Sequence, residues 1–289
     1  MKPRRILFAL ATSARWERVV RALPGGERGA YRLARCYVAG RRPEDALACA
    51  HRLAAAGLAS SIDFFGENIS DPIEADLVTD HYVALAQTLE RAGENTFLSI
   101  DLSHIGLDQP GEAVHQRLGR IAAALPAGRY IQVGAEQERR ADRILAAVSA
   151  VAATGGAVSA TIQANLKRSR TDAQALAERG VPIRLVKGAY VEDPQAAHPW
   201  GEPTDLAFLE LAHELHASGA EVAIATHDAV LREALLRALP GIGIEMLLGV
   251  RSADARVLAG RGVPVRIYVP YGDGWFRYAM RRWAESVGR

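Results

Sequence analysis

The sequence predicts an α/β protein, a (β/α)8 barrel of the TIM-barrel type with extra helices at its N-terminus. From Leu58 onward, a short β-rich run, a turn and an Ala-, Leu- and Glu-rich helical run recur eight times, which predicts parallel strands joined by helices. The chain has 289 residues, and a barrel of this type takes about 250 residues. A doubly wound open sheet is the alternative, but no G-x-G-x-x-G motif follows the first strand.

The first part of the chain predicts helices and no strand. It is rich in Ala, Leu and Arg, and turns at residues 23–26 and 40–43 divide it into two or three helices. We therefore expect an N-terminal helical arm over residues 1–57 and a barrel over residues 58–289.

Eight segments have the short apolar pattern of a barrel strand, and each is bounded by turn residues. The predicted strands cover residues 60–65, 96–102, 130–133, 158–163, 183–186, 221–225, 243–247 and 265–269. The predicted helices cover residues 74–91, 112–124, 138–153, 171–179, 204–217, 229–239, 253–259 and 275–287. Asp228 and Ser252 directly precede two of these helices and are predicted N-caps.

The helix predicted at residues 275–287 has one charged face. Tyr278, Arg281, Arg282 and Glu285 follow each other at helical spacing, so they lie on the same side. Two guanidinium groups suit a carboxylate, which Arg binds in a bidentate way; a solvated helix end is the alternative. Because apolar residues alternate with the polar ones, we expect this helix to lie over the barrel mouth as a lid.

Composition excludes several classes of protein. The formal net charge is +2 with 24% charged residues, which gives no indication of a nucleic-acid partner. No apolar run approaches the roughly 20 residues that a membrane span needs, and Arg15, Glu17 and Arg18 interrupt the N-terminal apolar stretch too early for a signal peptide. Cys36 and Cys49 are expected to be buried, reduced thiols. These features predict a cytoplasmic protein without a transmembrane segment.

Polar residues concentrate where the predicted strands end. In a barrel, the loops after the strands build the functional site, so these residues predict a polar pocket at one mouth. They form no convincing metal set and no Ser–His–acid arrangement. The residues are Asp63, Gly66, Glu67, Asp101, Ser103, Gly134, Glu136, Gln163, Asn165, Arg184, Lys187, Tyr190, Thr226, His227, Asp228, Glu245 and Tyr268.

The end of the fifth strand supports three interpretations. Arg184 and Lys187 are fixed cations, and the following Gly188 and Ala189 expose backbone N–H groups, which together suit a phosphate. Lys187 is alternatively a Schiff-base lysine, or one partner of a structural ion pair.

The motifs at these strand ends resemble the proline dehydrogenase family in its small, single-function bacterial form. The resemblance covers roughly residue 60 to the C-terminus, with the motifs in the same order. The motifs are SIDFFGE at 61–67, LSIDLS at 98–103, IQANL at 162–166, RLVKGAY at 184–190, ATHD at 225–228, EMLLG at 245–249, RIYVPYG at 266–272 and YAMRRWAE at 278–285.

The resemblance implies an FAD-dependent dehydrogenase that oxidises the C–N bond of a small amino acid, proline or a relative, to an imine. It places Arg184 beside flavin N5, and it implies a quinone as electron acceptor with peripheral membrane contact. The implied cofactor residues are Ala135, Gln163, Arg184, Lys187, Gly188, Ala189, Thr226, His227 and Glu285. The implied substrate residues are Asp101, Tyr190, Tyr278, Arg281 and Arg282, and Arg184, Gly134 and Tyr268 take the catalytic positions.

Two positions depart from the family pattern. Asp101 stands where the family usually carries Lys, and Gly134 stands where it usually carries Asp. We expect free space beside Gly134 and a negative charge at Asp101, so that proline is a poor substrate and a diamino, hydrazino or hydroxylated amino acid is preferred. The alternative is drift at a tolerant site.

Two other functions remain open at this point. A Schiff-base aldolase would use Lys187 as its nucleophile. A non-catalytic, flavin-binding relative would explain the changes at Asp101 and Gly134 without any reaction.

Overall fold

Eight parallel strands close into one barrel in the computed structural model, which describes residues 14–287 and the side chains of residues 16–283. Each strand pairs with its neighbours along the chain, and the eighth pairs with the first. This confirms the predicted (β/α)8 barrel and excludes the open sheet. The strands are β1 (Ala59–Phe64), β2 (Thr96–Ile100), β3 (Ile131–Val133), β4 (Val158–Gln163), β5 (Ile183–Val186), β6 (Val222–Ala225), β7 (Gly243–Leu247) and β8 (Val265–Tyr271).

The helices surround the barrel and continue at its mouth. They are α1 (Ala14–Ala22), α2 (Gly26–Ala34), α3 (Pro43–Ala55), α4 (Pro72–Thr88), α5 (Ala113–Ala123), α6 (Ala141–Ala153), α7 (Ser169–Ala177), α8 (Glu202–Ala217), α9 (Ala229–Ala238), α10 (Ser252–Gly260) and α11 (Trp275–Val287). The predicted segments all correspond to these strands and helices, and the differences lie at their ends.

The two predicted N-caps have different outcomes. Asp228 caps α9, because its carboxylate accepts hydrogen bonds from the N–H groups of Val230 and Leu231 at 3.0 and 3.3 Å. The prediction for Ser252 is wrong. Ser252 is the first residue of α10, and Arg251 takes the N-cap position in a left-handed conformation with φ 49°.

The barrel strands alternate between an apolar outer face and a polar inner face. Ile62, Leu98 and Ile131 are buried and belong to the large core between the sheet and the helices. Polar residues alternate with these apolar residues along the strands. For example, Asp63 on β1 is paired in register with Ser99 on β2. This alternation follows from the two-residue period of a strand, and it directs the polar side chains into the barrel.

Helix α3 covers the outside of β1 and β8 and shares the barrel core through Ala46, Cys49 and Ala50. Cys49 is buried as predicted. The prediction for Cys36 is wrong, because Cys36 lies exposed in the turn after α2, where its thiol donates to the carbonyl of Leu33 at 3.1 Å. A domain boundary at residue 57 stays a proposal.

Helix α11 does not return to the side of the barrel. Its buried residues Trp275, Phe276 and Ala279 pack against Ala34, the last residue of α2, and against Val38 in the segment after it. The next turn of α11 reaches the barrel mouth. The expected position of the last helix over the mouth is confirmed. Among the described residues, none of the helices combines the length and the apolar character needed to cross a bilayer.

Candidate active site

A cavity of about 390 Å³ opens at the carboxyl end of the strands, between the barrel and α11. The residues assigned to the catalytic, substrate and cofactor sites come together here, except Glu285, whose side chain is not among those described. Seven residues of the predicted polar pocket do not line the cavity, and for these the prediction is wrong: Asp63, Gly66, Glu67, Ser103, Glu136, Asn165 and Asp228. The predicted residues that line the cavity are Asp101, Gly134, Ala135, Gln163, Arg184, Lys187, Gly188, Ala189, Tyr190, Thr226, His227, Tyr268, Tyr278, Arg281 and Arg282.

A buried ion-pair network fixes Arg184 at the base of the cavity. Its Nε donates to Glu245 Oε2 at 2.7 Å, and the same carboxylate accepts from Arg266 at 3.1 Å and from Gln132 at 2.9 Å. Glu245 is only 3% exposed, so it depends on these donors to offset the cost of burying its charge. The network holds one edge of the Arg184 guanidinium in a fixed orientation below the cavity.

Lys187 takes part in two ion pairs. Its Nζ lies 2.6 Å from an oxygen of Asp205 on α8 and 3.1 Å from an oxygen of Asp228. This geometry shows that Lys187 is part of a structural ion pair. Lys187 also lines the cavity, so its interpretation as a phosphate-binding residue stays a prediction. A lysine held as an ammonium has no lone pair for attack on a carbonyl, so the arrangement argues against a Schiff-base site.

The backbone at Gly188 comes close to a neighbouring loop. Gly188 has φ 114°, and a Cβ there would overlap the Oδ1 atom of Asn165. Only glycine fits this combination of conformation and close contact. Asn165 Oδ1 and the hydroxyl of Thr161 are both buried and have no hydrogen-bond partner within the described structure.

Two carboxyl groups, Asp63 and Asp101, lie at the ends of neighbouring strands. Tyr268 donates a hydrogen bond to Asp63 at 2.6 Å, and Tyr82 donates one at 3.4 Å. Burial nevertheless raises the pKa of Asp63 from 3.8 to about 7. Burial, and after it the charge of Asp63, raises the pKa of Asp101 well above its ordinary value. Both shifts favour the protonated form of these carboxyl groups.

Asp101 and Gly134 fit each other directly. A Cβ on Gly134 would overlap the Oδ1 atom of Asp101, so the Asp101 side chain turns toward β3 and occupies the place of a side chain there. The expectation of free space beside Gly134 is wrong for this reason. Glycine at position 134 is what allows Asp101 its position.

Aromatic side chains form one wall of the cavity. The ring centroids of Tyr268 and Tyr278 are 6.1 Å apart, and outside the cavity lining the Phe65 ring lies 5.1 Å from that of Tyr278. The guanidinium carbon of Arg282 lies 5.5 Å from the Tyr278 ring centroid, within the range of a cation–π contact. This stack connects α11 to β8 and orients the face that carries Arg281.

Three residues around the site were predicted only as members of the polar pocket, without a role of their own: Asp63, Glu136 and Glu245. Asp63 and Glu245 were visible as acidic residues in otherwise apolar strands, and that pattern is the signal for them. Asp205 carries no local signal, because α8 brings it to Lys187 only in the folded protein. Glu136 pairs with Arg140 at 2.5 Å and accepts the backbone N–H of Ser103 at 2.9 Å, so it stabilises the loops around the cavity.

Comparison with known proteins assigns the family. The family model described as proline dehydrogenase matches residues 46–287. Proline dehydrogenase of Deinococcus radiodurans is 32% identical over 269 residues, which cover 89% of this chain and 87% of the relative. Proline dehydrogenase 1 of Bacillus subtilis is 33% identical over 262 residues, covering 87% of this chain and 86% of the relative.

Solved structures agree on the fold. Proline utilization A of Bdellovibrio bacteriovorus matches 98% of this chain with a TM-score of 0.82 at 19% identity. The protein of the same name from Corynebacterium freiburgense matches 99% with a TM-score of 0.72 at 18% identity. The chain spans only 36% and 33% of the lengths of these two larger proteins.

These relatives define the class of the protein. It is an oxidoreductase that acts on CH–NH groups, and its barrel has a polar cavity at the carboxyl ends of the strands. More narrowly, the chain belongs to the proline dehydrogenase family.

Proposed function

We propose that this protein is an FAD-dependent dehydrogenase that oxidises the C–N bond of a small amino acid, proline or an amine-bearing relative, to an imine. The observation that carries the proposal is the single cavity in which Arg281 and Arg282 of α11 face the strand ends that carry Arg184 and Lys187. One group of cations suits the carboxylate of a substrate, and the other suits a cofactor.

The residues at the ends of β4 and β5 fit a large polar cofactor. Thr161 and Asn165 each present a buried oxygen without a partner among the described residues, and buried polar atoms need such partners. Gln163, Lys187 and Gly188 would hold FAD beside them, and the cofactor would supply the acceptor for a hydride from the carbon next to nitrogen. Arg184, held by Glu245, would place a positive charge close to that acceptor.

The opposite side of the cavity suits the substrate. Arg281 and Arg282 would bind its carboxylate, and the phenol rings of Tyr268 and Tyr278 would exclude water from the reacting carbon. The amine must lose a proton before its C–N bond is oxidised. Asp101 lines the same cavity.

The remaining parts of the proposal rest on the family. We propose a quinone as the electron acceptor, which would require peripheral contact with a membrane surface from a cytoplasmic location. Reoxidation of the reduced protein by a water-soluble quinone, measured with and without vesicles, tests both points.

The deciding experiment is the absorbance spectrum of the purified protein, followed by anaerobic titration with amino acids. We expect a flavin spectrum that bleaches with a proline-like substrate. A flavin that no amino acid or amine reduces would identify a non-catalytic relative. A colourless protein that forms an adduct on Lys187 with an oxo-acid and borohydride would identify an aldolase.

A further inference from the structure

We propose that Asp101 makes this site selective for amino acids that carry a second nitrogen, placed to donate a hydrogen bond or a positive charge to its carboxylate. The inference rests on the proposed oxidation of an amino acid at this site, and it specifies the class of substrate.

The first step is that Asp101 lines the cavity without a local partner. Within the described side chains, its carboxylate has no hydrogen-bond donor and no ion pair. A carboxylate in such a position loses hydration when a ligand fills the cavity. A ligand that offers a donor removes this cost, and a ligand that offers only CH2 groups does not.

The second step is that the neighbouring charges do not supply a counter-ion. Arg184 is the cation that acts on Asp101, and it is already bound to Glu245. The other groups that act on Asp101 are Asp63, Glu67 and Glu136, which are all acidic. In the empty site a proton on Asp101 relieves their repulsion, and in the complex the second nitrogen of the ligand takes over that role.

The third step is that Asp101 is held in place by shape. Because a side chain at position 134 would overlap its Oδ1 atom, the carboxylate lies in a recess that only Gly134 provides. A larger residue at position 134 would therefore change where this carboxylate lies in the cavity.

The reactive nitrogen cannot meet this need throughout the reaction. Oxidation of the C–N bond requires that nitrogen to be neutral, so an ammonium held by Asp101 is not the reacting form. A second nitrogen can stay protonated on Asp101 while the first is oxidised. The preferred ligand therefore combines a carboxylate for Arg281 and Arg282, a reactive amine, and a second amine or hydrazine nitrogen.

Two pairs of ring compounds test this directly. Piperazine-2-carboxylate and pipecolate differ by one NH in place of CH2, and both contain an oxidisable C–N bond. Morpholine-2-carboxylate and tetrahydropyran-2-carboxylate differ in the same way, but an oxygen replaces the reactive nitrogen, so they report binding without reaction. We expect the second nitrogen to increase kcat/KM, and to tighten binding measured by calorimetry, by about tenfold or more.

The variants separate charge from shape. Asp101→Asn keeps the size of the side chain and should reduce both preferences to within about threefold of unity. Gly134→Ala should do the same with Asp101 still present, because the added methyl group displaces its carboxylate. Glu94→Gln, at an exposed position two residues before β2 and at the other end of that strand from Asp101, removes the same unit of charge far from the cavity and should leave both preferences unchanged.

The outcomes distinguish this inference from the proposed function. If pipecolate and piperazine-2-carboxylate reduce the flavin equally well, or if Asp101→Asn keeps the preference, the inference is wrong and the proposed function stands. If no amino acid of the titration, proline included, reduces the flavin, the proposed function fails, and the morpholine and tetrahydropyran pair still decides whether Asp101 selects the second nitrogen.

Discussion

At the scale of single residues, Arg184 owes its position to Glu245. The carboxylate of Glu245 accepts from three donors on β3, β5 and β8, and this leaves the guanidinium of Arg184 little freedom. Preorganised charge of this kind contributes to catalysis because it needs no rearrangement during the reaction.

Arg184→Ala should lower the flavin content of the purified protein or slow flavin reduction, because the charge next to the proposed cofactor is lost. Glu245 keeps Arg266 and Gln132, so the barrel should still fold. Flavin absorbance per protein and stopped-flow reduction measure the effect, and Arg184→Lys should recover part of it. A variant with normal flavin content and a normal reduction rate would contradict the placement of Arg184.

Asp63 predicts a pH dependence of stability. Its pKa is raised to about 7 in the folded protein, so between pH 4 and 7 the folded protein binds a proton that the unfolded chain does not. Protonated Asp63 therefore contributes to the free energy of unfolding at low pH. This contribution, at most about 4 kcal/mol, is lost as the pH rises through about 7.

Asp63→Asn should flatten this dependence, since the amide does not titrate. Free energies of unfolding from urea titrations at pH 5 and pH 8 measure the change, with Glu94→Gln as an exposed acidic control. An equal pH dependence in Asp63→Asn and in the unmodified protein would rule out Asp63 as its source.

The differences between prediction and structure are also largest for single residues. Asp101 and Gly134 were each visible as departures from a family motif, but their fit across two strands depends on side-chain direction, which a sequence pattern does not contain. The same is true of Lys187. Its motif indicated a cation at a strand end, and only the folded chain brings Asp205 from α8 to it.

At the scale of secondary structure, α11 is the element that changes the site most. It carries Tyr278, Arg281 and Arg282 to the cavity on one side and buries Trp275 and Phe276 against α2 on the other. Its charged face was predictable from helical spacing. Its anchor on α2 was not, because that contact joins distant parts of the chain.

Replacing Arg281 or Arg282 by Ala should cost about 2–5 kcal/mol of transition-state binding if both hold a desolvated carboxylate. Lys at either position should recover only part of the lost transition-state binding, because the Lys ammonium lacks the planar fork of the guanidinium. Arg277→Ala on the same helix is the matched control, since Arg277 is 50% exposed and pairs with Glu17 at 3.6 Å. Near-normal kcat and KM in both variants would exclude α11 as the carboxylate clamp.

At the scale of the whole molecule, the barrel order was predictable because its signal repeats eight times and each repeat supports the others. The division between arm and barrel is less simple than a boundary in the sequence. Helix α3 lies in the arm by sequence, but it fills the outer layer over β1 and β8, where α11 is absent.

Two N-terminal deletions test this arrangement. After removal of residues 1–41 the protein should still unfold cooperatively, because α3 still covers the barrel. Substrate binding should weaken, because α11 loses its contact with α2. Removal of residues 1–57 should abolish cooperative thermal unfolding, since it exposes apolar residues of β1 and β8. Circular dichroism during heating distinguishes them. Cooperative unfolding of the shorter chain would instead establish an independent barrel domain.

The position of α11 in the chain has a consequence for synthesis of the protein. Strand β8 closes the barrel against β1, and only residues 272–274 separate it from α11. A growing polypeptide can pair β1 to β7 during synthesis, but β8 and α11 leave the ribosome together. The nascent chain therefore closes its barrel and gains Arg281 and Arg282 at the same late stage, so that completion of the scaffold and the onset of substrate binding coincide.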